Sequence, residues 1–356
     1  MQNLDRALKV LGSLSYFEST GYHLKNSDFL DFIYPAKAGS KIFRLFKILQ
    51  TNFCEGDCKY CINRKYRNTQ RYYLSPKRLA SVFMEYYKKR KVDGLFLSSG
   101  VFKSPNFMQE KMLETILILR KKFFYKGFIH LKILPGADLE LIKKFIGLVD
   151  RVSINIEAPT QNLFNTLTST KNFKEDILKR LKFLSELNKK KVFKKGVTTQ
   201  MIVGISNEKD INVLKSAYFL YKNFNLSRVY YSGFIPVKNT PLENLPMCSL
   251  KRELRIYQAD ILLRKYGFSV EDLVFDKEGN LPLHTDPKTL YALNHPELFP
   301  INVNKASFKE LLKIPGVGPI SAKRILFLRK EKKISKLTEL EKIGVNLKRA
   351  KDYVKF

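Results

Sequence analysis

Three cysteines lie close together just after the first apolar segment of the chain. Cys54, Cys58 and Cys61 have the spacing C-x3-C-x2-C, and the chain contains only one other cysteine, Cys248. Three thiolates can hold three corners of a cubic iron–sulfur cluster and leave the fourth iron open, whereas an electron-transfer cluster takes four protein ligands. Tyr60, directly before the last cysteine, can pack an aromatic ring beside the loop. The spacing therefore predicts a cluster with one iron available to a small ligand.

Zinc and disulfide bonds are the alternative uses of these cysteines. A structural zinc site takes four ligands, usually from C-x2-C pairs, and none of the four histidines lies near the loop in the sequence. A disulfide scaffold is typical of short secreted chains rich in cysteine, and this chain has four cysteines in 356 residues. The open cluster is therefore the preferred interpretation.

The segments that must position the loop alternate along the chain between strand-like and helix-like hydrophobic patterns. Six apolar segments follow one another, with amphipathic helical segments between them. The predicted strands are Ile42–Leu49, Gly94–Ser98, Phe128–Leu134, Arg151–Glu157, Val197–Gly204 and Arg228–Ile235. This series predicts a parallel sheet with helices outside, in the α/β class, curled by right-handed crossovers into a partial (β/α)6 barrel. The cysteine loop follows the first strand, at the end where reactive groups gather in such barrels.

Several predicted strands carry polar residues on one face only. His130 and Lys132 alternate with apolar neighbours, and so do Ser153, Asn155 and Glu157. Buried polar groups cost free energy unless they are satisfied. Their repetition on several strands predicts a polar barrel interior in preference to a solvated edge.

The predicted domain organisation has four parts. Residues 1–40 are predicted to be an N-terminal helical extension, helical over 3–20 and irregular afterwards. Residues 41–270 form the barrel, residues 271–300 an irregular linker or wrapping segment, and residues 301–356 a small all-α domain. No apolar run reaches the roughly 20 residues that a membrane span needs, and the N-terminus lacks the apolar stretch of a signal peptide. We therefore expect a cytoplasmic protein without a membrane partner.

The charge of the chain is strongly positive. It has 65 basic and 33 acidic residues, a net charge of +32. A genome rich in lysine codons explains part of the excess, since Asn, Ile, Phe and Tyr are also abundant. Residues 301–356 hold 15 basic and 5 acidic residues, a net +10, and residues 1–300 hold 50 and 28, a net +22. The C-terminal segment is more than twice as basic per residue, which favours nucleic acid as its partner.

The C-terminal segment contains a tight hairpin between two predicted helices. Pro315-Gly316-Val317-Gly318 follows a helix over Asn304–Lys313, and Pro319 begins the next helix. The glycines allow close approach of a backbone oxygen, and free amides at the helix start face an anion. Lys323 and Arg324 lie one turn further on. The pattern predicts a phosphate-binding helix–hairpin–helix, with a helical dimerisation module as the alternative.

A degenerate second copy of the hairpin follows over residues 339–350. Gly344 repeats Gly316, but Asn346 stands where Gly318 stood. We expect the tandem to form one small domain in which the second hairpin binds phosphate less well than the first.

These motifs together resemble a known family. The cysteine loop, with Tyr60, resembles the signature of the radical S-adenosylmethionine (SAM) superfamily. Seven further segments and the hairpin module resemble a bacterial subfamily described as DNA modification or repair radical SAM proteins, often encoded beside a uracil-DNA glycosylase. The segments are Asn63-Arg64, Gly94–Gly100, Ile129–Ala137, Ser153–Thr160, Thr198–Gly204, Tyr230–Val237 and Asp286–Asn304.

The resemblance implies cofactors and a set of site residues. Cys54, Cys58 and Cys61 would bind a 4Fe-4S cluster. SAM would bind the open iron and be cleaved to methionine and a 5′-deoxyadenosyl radical, so the cofactors carry the difficult step. The residues implied in SAM binding are Tyr60, Ser98, Ser99, Gly100, Ser153, Asn155, Glu157 and Gly204. Ser98-Ser99-Gly100 stands where many members have Gly-Gly-Glu, so hydroxyl and carbonyl groups would replace the carboxylate that holds the methionine amine.

Further residues are candidates for contacts with the substrate. Lys132, at a strand end, suits a phosphate or carboxylate, or a salt bridge to Glu157. Tyr230 and Tyr231 suit stacking on a base or relay of a hydrogen atom, with core packing as the alternative. Cys248 is a candidate hydrogen donor to a product radical.

The sequence thus predicts a radical SAM enzyme that modifies or repairs a nucleotide in DNA or RNA, and the subfamily favours DNA. The base would have to be flipped out or already unpaired. Expected partners are nucleic acid, an electron donor such as flavodoxin or ferredoxin, and a uracil-DNA glycosylase-like protein. The alternatives are a radical SAM enzyme that acts on tRNA or a small molecule, and a non-catalytic iron–sulfur adaptor for nucleic acid or a glycosylase.

Overall fold

The computed structural model describes residues 2–15, 32–38 and 41–356. The chain divides into two compact units. The first comprises residues 1–207 with 220–248, and the second comprises residues 208–219 with 249–356. None of the helices in the described ranges is long and apolar enough to cross a bilayer.

A seven-stranded sheet forms the centre of the first unit, and its strands lie in the order in which they occur along the chain. The first pair is antiparallel and the other five pairs are parallel. The strands are β1 (Ile33–Ala38), β2 (Lys41–Leu49), β3 (Gly94–Ser98), β4 (Phe128–Lys132), β5 (Arg151–Ser153), β6 (Val197–Val203) and β7 (Arg228–Gly233). The six parallel strands curl into a half-barrel, which confirms the predicted α/β class and architecture.

Helices connect the parallel strands. The connecting helices are α2 (Pro76–Lys88), α3 (Pro105–Leu117), α4 (Leu139–Lys143), α5 (Gln161–Leu167), α6 (Lys179–Lys189) and α7 (Asp210–Phe224), whereas α1 (Gln2–Ser15) precedes the sheet. Several begin at a polar cap followed by proline. The Ser75 hydroxyl accepts from the Arg78 N–H at the start of α2, and Ser104 caps α3 in the same way. These caps satisfy amides that have no acceptor within the helix.

The sheet has an apolar face and a polar face. Phe46 of β2 packs on Phe83 of α2 with ring centroids 5.8 Å apart, and Leu131 and Tyr231 are fully buried on the same apolar face. The opposite face carries buried polar side chains. They are Lys47, His130, Lys132, Ser153, Thr198 and Gln200. The predicted polar interior is therefore confirmed.

The N-terminal prediction is only partly correct. The helix predicted over 3–20 is present over Gln2–Ser15, and residues 16–20 lie outside the described residues. The prediction of irregular structure after residue 20 is wrong for Ile33–Ala38, because these residues form β1, which pairs with β2. β1 contains Pro35, which breaks the usual strand pattern and is tolerated on an edge strand, where one side needs no hydrogen bonds.

Two later boundaries also differ from the prediction. The fourth parallel strand ends at Ser153, and Glu157, predicted to be its last residue, has φ 64° and makes only an isolated bridge to Met201. The linker predicted as irregular contains α9 (Pro287–Asn294). Asp286 caps this helix and its first residue is proline, so the proline that suggests a loop is instead at its favoured helical position.

The second unit is mainly helical and carries both hairpins. Besides α9, its elements include α8 (Leu250–Lys265), β8 (Ile301–Asn302), α10 (Phe308–Lys313), α11 (Pro319–Glu331), α12 (Leu337–Lys342), α13 (Leu347–Ala350) and β9 (Val354–Lys355). The helix predicted from Asn304 begins at Phe308, since Ser307 and Glu310 form a reciprocal capping box. One apolar core joins both hairpins through buried residues such as Ile314 and Leu340, which confirms the tandem helix–hairpin–helix.

Candidate functional site

The cysteine loop lies against the end of β3. The Gly100 N–H donates to the Thr51 carbonyl over 2.8 Å. A Cβ on Gly100 would collide with the carbonyl oxygen of Phe53 and would lie 3.3 Å from the Cβ of Cys54. The missing side chain therefore lets the segment Ser98–Gly100 lie directly beside the cysteine loop.

Backbone amides surround the cysteine sulfur atoms. The Gly56 N–H donates to Sγ of Cys54 and the Asn63 N–H to Sγ of Cys61, both over 3.4 Å. A Cβ on Gly56 would lie 3.4 Å from Sγ of Cys54 and 3.8 Å from Sγ of Cys58. Burial, with the nearby thiolates of Cys58 and Cys54, raises the pKa of Cys61. Iron binds the ionised thiolate, so cluster binding would replace the proton that the raised pKa keeps on Cys61.

Buried polar atoms without a partner lie directly after the last cysteine. Among the described residues, Oδ1 of Asn63 and Nε of Arg64 have no hydrogen-bond partner. Across the described ranges of the chain, no three His, Cys, Asp or Glu side chains converge closely enough to share one metal ion. A cubic cluster does not require such convergence, because each thiolate binds a different iron. Three separated thiols with amide donors fit that cluster.

Asp57, between the first two cysteines, ties the loop to the segment after α5. Its carboxylate accepts from the hydroxyls of Thr168 at 2.6 Å, Ser169 at 2.5 Å and Thr170 at 2.9 Å, and from the N–H groups of the last two. Burial alone would raise the pKa of Asp57, but these hydrogen bonds outweigh it and lower the pKa. The cysteine loop is thus fixed to a distant part of the sequence.

The segment held by Asp57 brings Lys171 to the cysteines. Burial would lower the pKa of Lys171, but the thiolate of Cys58 and the carboxylate of Glu157 outweigh it and raise the pKa. The Glu157 carboxylate also lies near Tyr60, and burial followed by the Glu157 charge raises the pKa of that phenol. One cation, one carboxylate and one phenol therefore lie beside the thiols. Of these three, the sequence analysis missed Lys171.

Arg71 is a second residue that the sequence analysis missed. Its guanidinium donates to the carbonyls of Asn63 and Arg64 at 2.8 Å and of Arg67 at 3.1 Å, and also to that of Asn52. The planar guanidinium, with its five N–H groups, suits donation to several carbonyls at once. Arg71 therefore braces both ends of the cysteine loop, and nothing distinguishes it in the sequence from the other basic residues nearby.

The remaining residues predicted to bind SAM lie at strand ends. Ser153 forms a 2.9 Å hydrogen bond to Nε2 of His130, whose pKa is lowered by burial and then by nearby cations. Asn155 is half-buried. Gly204 has φ 80°, and a Cβ there would lie 2.6 Å from the Cβ of Cys248. Cys248 is thus packed against the end of β6.

The candidate substrate residues lie on two different faces of the sheet. Lys132 is buried on the polar face. Tyr230 shares that face: its hydroxyl lies 3.4 Å from Nη1 of Arg151, and the Arg228 guanidinium lies 4.7 Å from the centre of its ring. Tyr231 is fully buried on the apolar face, because successive strand residues point to opposite sides. The structure therefore brings Tyr230, and not Tyr231, to the face of Lys132.

The first hairpin has amide groups available to a ligand. Among the described residues, no backbone carbonyl accepts from the N–H of Gly316 or Gly318. Gly318 caps α11 without a side-chain hydrogen bond, and the first amides of a helix have no intrahelical acceptor. Lys323 and Arg324 are exposed on the first turns of α11. This arrangement matches the predicted anion site.

The second hairpin uses the corresponding amides internally. The Gly344 N–H donates to the Glu341 carbonyl over 2.8 Å, and the Asn346 N–H donates to the Gly316 carbonyl over 3.1 Å. Val317 of the first hairpin belongs to the buried core, and its carbonyl accepts from Nζ of Lys288 over 2.6 Å. Val317 therefore supports the hairpin from inside, and its side chain is not at the surface.

Comparison with known proteins gives two family matches and several distant relatives. Residues 48–220 match the model of the Radical SAM superfamily, and residues 299–349 match that of the helix-hairpin-helix motif. An uncharacterized protein of Methanocaldococcus jannaschii is 28% identical over 137 residues, which cover 37% of this chain and 34% of that protein. The matched part is thus about a third of that relative's length.

Two solved structures are similar to part of this chain at low sequence identity. The FeFe-hydrogenase maturase HydG from Carboxydothermus hydrogenoformans is 14% identical, with a TM-score of 0.48 and coverage of 60% of this chain and 50% of that one. Methylornithine synthase (PylB) is also 14% identical, with a TM-score of 0.48 and coverage of 74% and 69%. Members of the Radical SAM superfamily use a 4Fe-4S cluster and SAM, in agreement with the three-cysteine loop. Residues 48–220 are therefore a radical SAM domain, and residues 299–349 carry a helix-hairpin-helix motif.

Proposed function

We propose that this protein is a radical SAM enzyme that modifies or repairs a nucleotide within a nucleic acid, with DNA favoured over RNA. One observation carries the proposal: the chain that holds the radical SAM domain also holds a hairpin in which, within the described part of the chain, the Gly316 and Gly318 amides donate to no backbone carbonyl. Free amides at a helix start bind phosphate without reading the sugar. The strongly basic C-terminal segment supports a polyanionic partner.

In this proposal, Cys54, Cys58 and Cys61 hold the 4Fe-4S cluster, and SAM binds its open iron. Such a cluster, reduced by the proposed electron donor, would supply one electron to SAM, which would give methionine and a 5′-deoxyadenosyl radical. The protein's part is to orient and shield the reacting groups. Asp57 and Arg71 keep the loop in position through the hydrogen bonds described above.

The proposed SAM contacts surround the cysteine loop. The segment Ser98–Gly100 would hold the methionine part through hydroxyl and carbonyl groups. The residues proposed for the remaining contacts are Tyr60, Ser153, Asn155, Glu157 and Gly204. Their support is that Tyr60 and Glu157 lie near each other and near the thiols, and that Ser153 lies on the polar face.

The proposed substrate contacts are Lys132 and Tyr230. Both lie on the polar face of the sheet, where a buried cation suits a phosphate or carboxylate and a phenol ring suits a base. The buried position of Tyr231 favours a packing role for that residue. We also propose the four domain bounds given above, now with β1 in the first part and α9 in the third, a cytoplasmic location, an electron donor of the flavodoxin or ferredoxin type, and a glycosylase-like partner.

Product analysis tests the proposed reaction. The cluster is reconstituted without oxygen, and SAM and reductant are supplied with single-stranded DNA, duplex DNA, tRNA or free nucleosides. We expect 5′-deoxyadenosine and a mass change in the DNA, with the free nucleosides unchanged. A product from tRNA or nucleosides alone would favour a different substrate, and an intact cluster that never yields 5′-deoxyadenosine would favour an adaptor.

Two variants test the division of labour between the parts. Cys58→Ala should abolish the cluster and SAM cleavage but spare most nucleic-acid binding. Gly316→Val with Gly318→Val should do the reverse, because a side chain on Gly316 would collide with the Asn346 carbonyl and distort the hairpin that presents the amides. Wild-type affinity should also fall steeply with salt, since each phosphate contact releases counterions. Equal loss of both activities in either variant would contradict the proposal.

A further inference from the structure

The outer face of α11 carries an unusual set of exposed residues. Ser321, Ala322 and Ile325 form the buried side of this helix. The residues on the opposite side are Ile320, Lys323, Arg324 and Phe327, and we call them the α11 outer face. Ile320 is 68% exposed and Phe327 is 66% exposed. Positions i, i+3, i+4 and i+7 lie on one side of a helix, so two large apolar side chains flank two cations.

Single exposed apolar residues are ordinary on protein surfaces, but this face lies beside the first hairpin. Ile320 follows Gly318 by two residues, at the helix end where the free amides lie. The two cations and the net charge of +10 over residues 301–356 are complementary to a polyanion. Charge complementarity therefore favours a nucleic acid as the occupant, over a second protein.

The exposed ring indicates which form of nucleic acid fits. A phenylalanine ring contributes to nucleic-acid binding mainly by stacking on a base. In a duplex the bases are stacked on one another, and the outside presents phosphates and sugars to the protein. The hairpin amides could bind a phosphate of either form, but Phe327 can reach the flat side of a base only where the strand is unpaired.

We propose that the α11 outer face holds an unpaired stretch of nucleic acid, with Phe327 stacked on a base and a nearby phosphate bound by the Gly316 and Gly318 amides. The proposal rests on the nucleic-acid function proposed above. It agrees with the requirement that a base must leave the duplex before an enzyme can act on it.

The helix geometry limits where the stacked base lies. Phe327 follows Gly318 by nine residues, which is about 13 Å along the helix axis at a rise of about 1.5 Å per residue. Stacked nucleotides rise about 3.4 Å each along one strand. The base at Phe327 should therefore lie at most about four nucleotides from the bound phosphate, and fewer if the strand is extended.

Fluorescence titrations with 2-aminopurine oligodeoxynucleotides, as single strands and as matched duplexes, test the proposal. Phe327→Ala should weaken single-strand binding by about fivefold to a hundredfold, the range for loss of one stacking contact, and change duplex binding less than twofold. Phe327→Tyr, which keeps the ring, should bind like wild type. Phe124→Ala removes another highly exposed phenylalanine, at 75% exposure, and should also bind like wild type.

The outcomes separate this inference from the proposed function. If wild type binds no oligonucleotide, both are wrong. If wild type binds through Gly316 and Gly318 but Phe327→Ala has no effect, or weakens single strands and duplexes equally, only the stacking proposal is wrong. Loss of self-association in Phe327→Ala, with unchanged oligonucleotide affinity, would instead assign the α11 outer face to a second copy of this chain. Circular dichroism of each variant confirms that it is folded.

Discussion

The backbone N–H of Asn346 donates a hydrogen bond to the Gly316 carbonyl over 3.1 Å, so the tips of the two hairpins are joined. A Cβ on Gly316 would collide with the carbonyl oxygen of Asn346 and lie 3.2 Å from the Cβ of Ala350. The degenerate position of the second copy thus has a structural use. Asn346 supports the first hairpin, and its N–H is therefore not available to a ligand.

Gly316→Ala should therefore destabilise the second unit more than Gly344→Ala. Both glycines have left-handed φ angles, 83° and 88°, so both variants carry similar backbone strain. Only Gly316 faces backbone; a Cβ on Gly344 would meet the flexible end of Arg324 at 3.3 Å. We expect an additional loss of about 1–3 kcal/mol for Gly316→Ala from overpacking. Thermal unfolding of both variants measures this difference, and equal losses would contradict the tip-to-tip contact.

Asp57→Asn should weaken retention of the cluster. The amide keeps the shape of the carboxylate but turns a donor group toward several hydroxyl and N–H donors, so buried groups lose their acceptor at a cost of about 1–3 kcal/mol. The cysteine loop should then separate from the Thr168–Thr170 segment. We expect less iron and sulfide per chain after reconstitution, and faster loss of visible absorbance in the presence of a chelator.

Glu55→Gln is the matched control for Asp57→Asn. Glu55 lies in the same loop, but its side chain is 48% exposed and pairs with Lys65 at 3.5 Å. Exposed pairs contribute little to stability, so this variant should retain its cluster like wild type. If both variants lose iron to the same extent, removal of charge from the loop would explain the result and the role of Asp57 as a fastening residue would be wrong.

The sequence was sufficient for the cysteine loop, the six parallel strands and the first hairpin, because these depend on local spacing and period. It was not sufficient for β1, whose Pro35 interrupts the strand pattern. It also gave no indication of Asp57 or Lys171. Asp57 and Thr170 are 113 positions apart and meet only through two loops, and loop geometry is not encoded in hydrophobic period.

Other features were present in the sequence but could not be resolved without register. Tyr230 and Tyr231 are neighbours, so strand alternation alone separates them onto opposite faces. Only the strand pairing shows which of the two tyrosines lies on the polar side. Tyr230 pairs with Gln200, and Tyr231 pairs with Met201. The free amides of Gly316 and Gly318 were expected, whereas the internal use of the Asn346 amide depends on the contact between the two hairpins.

Gly204→Ala should destabilise the first unit more than Gly147→Ala. The two glycines have similar φ angles, 80° and 77°. A Cβ on Gly204 would lie 2.6 Å from the Cβ and 2.8 Å from the Sγ of Cys248, whereas a Cβ on Gly147 would meet nothing within 4 Å. The difference between the variants should therefore be about 1–3 kcal/mol, from steric overlap alone. Chemical denaturation of both proteins measures it.

A double-variant cycle identifies Cys248 as the cause of that difference. Cys248→Gly removes both overlapping atoms, so Gly204→Ala should be tolerated better in that background. Residues in contact show such coupling, of about 0.5–3 kcal/mol, whereas distant residues do not. Simple additivity of the two changes would mean that the chain relaxes around the added methyl group without meeting Cys248.

Lys288 makes the stability of the second unit depend on pH. Its Nζ donates to the Val317 carbonyl over 2.6 Å and lies 4.6 Å from the centre of the Tyr266 ring. Burial, with the charge of Arg349, lowers the pKa of Lys288 to about 7, although Asp286 acts in the opposite direction. The ordinary value is 10.5. Between these two values the unfolded chain carries a proton that the folded chain has released.

Stability should therefore rise with pH from about 7 to about 10, because the unfolded state binds more protons in that window. Below pH 7 both states are charged and the cost of burying the charge is complete; above about 10.5 both are neutral. Lys288→Met, without a charge, should lose this slope, so its melting temperature relative to wild type should fall as pH rises. The free-energy change across the window should be on the order of several kcal/mol. The lost hydrogen bond to Val317 adds a constant offset, since a neutral amine also donates.

Lys323→Met, at an exposed position, is the control. If the difference in melting temperature between Lys288→Met and wild type stays constant from pH 7 to pH 10, Lys288 keeps its proton throughout and the prediction is wrong.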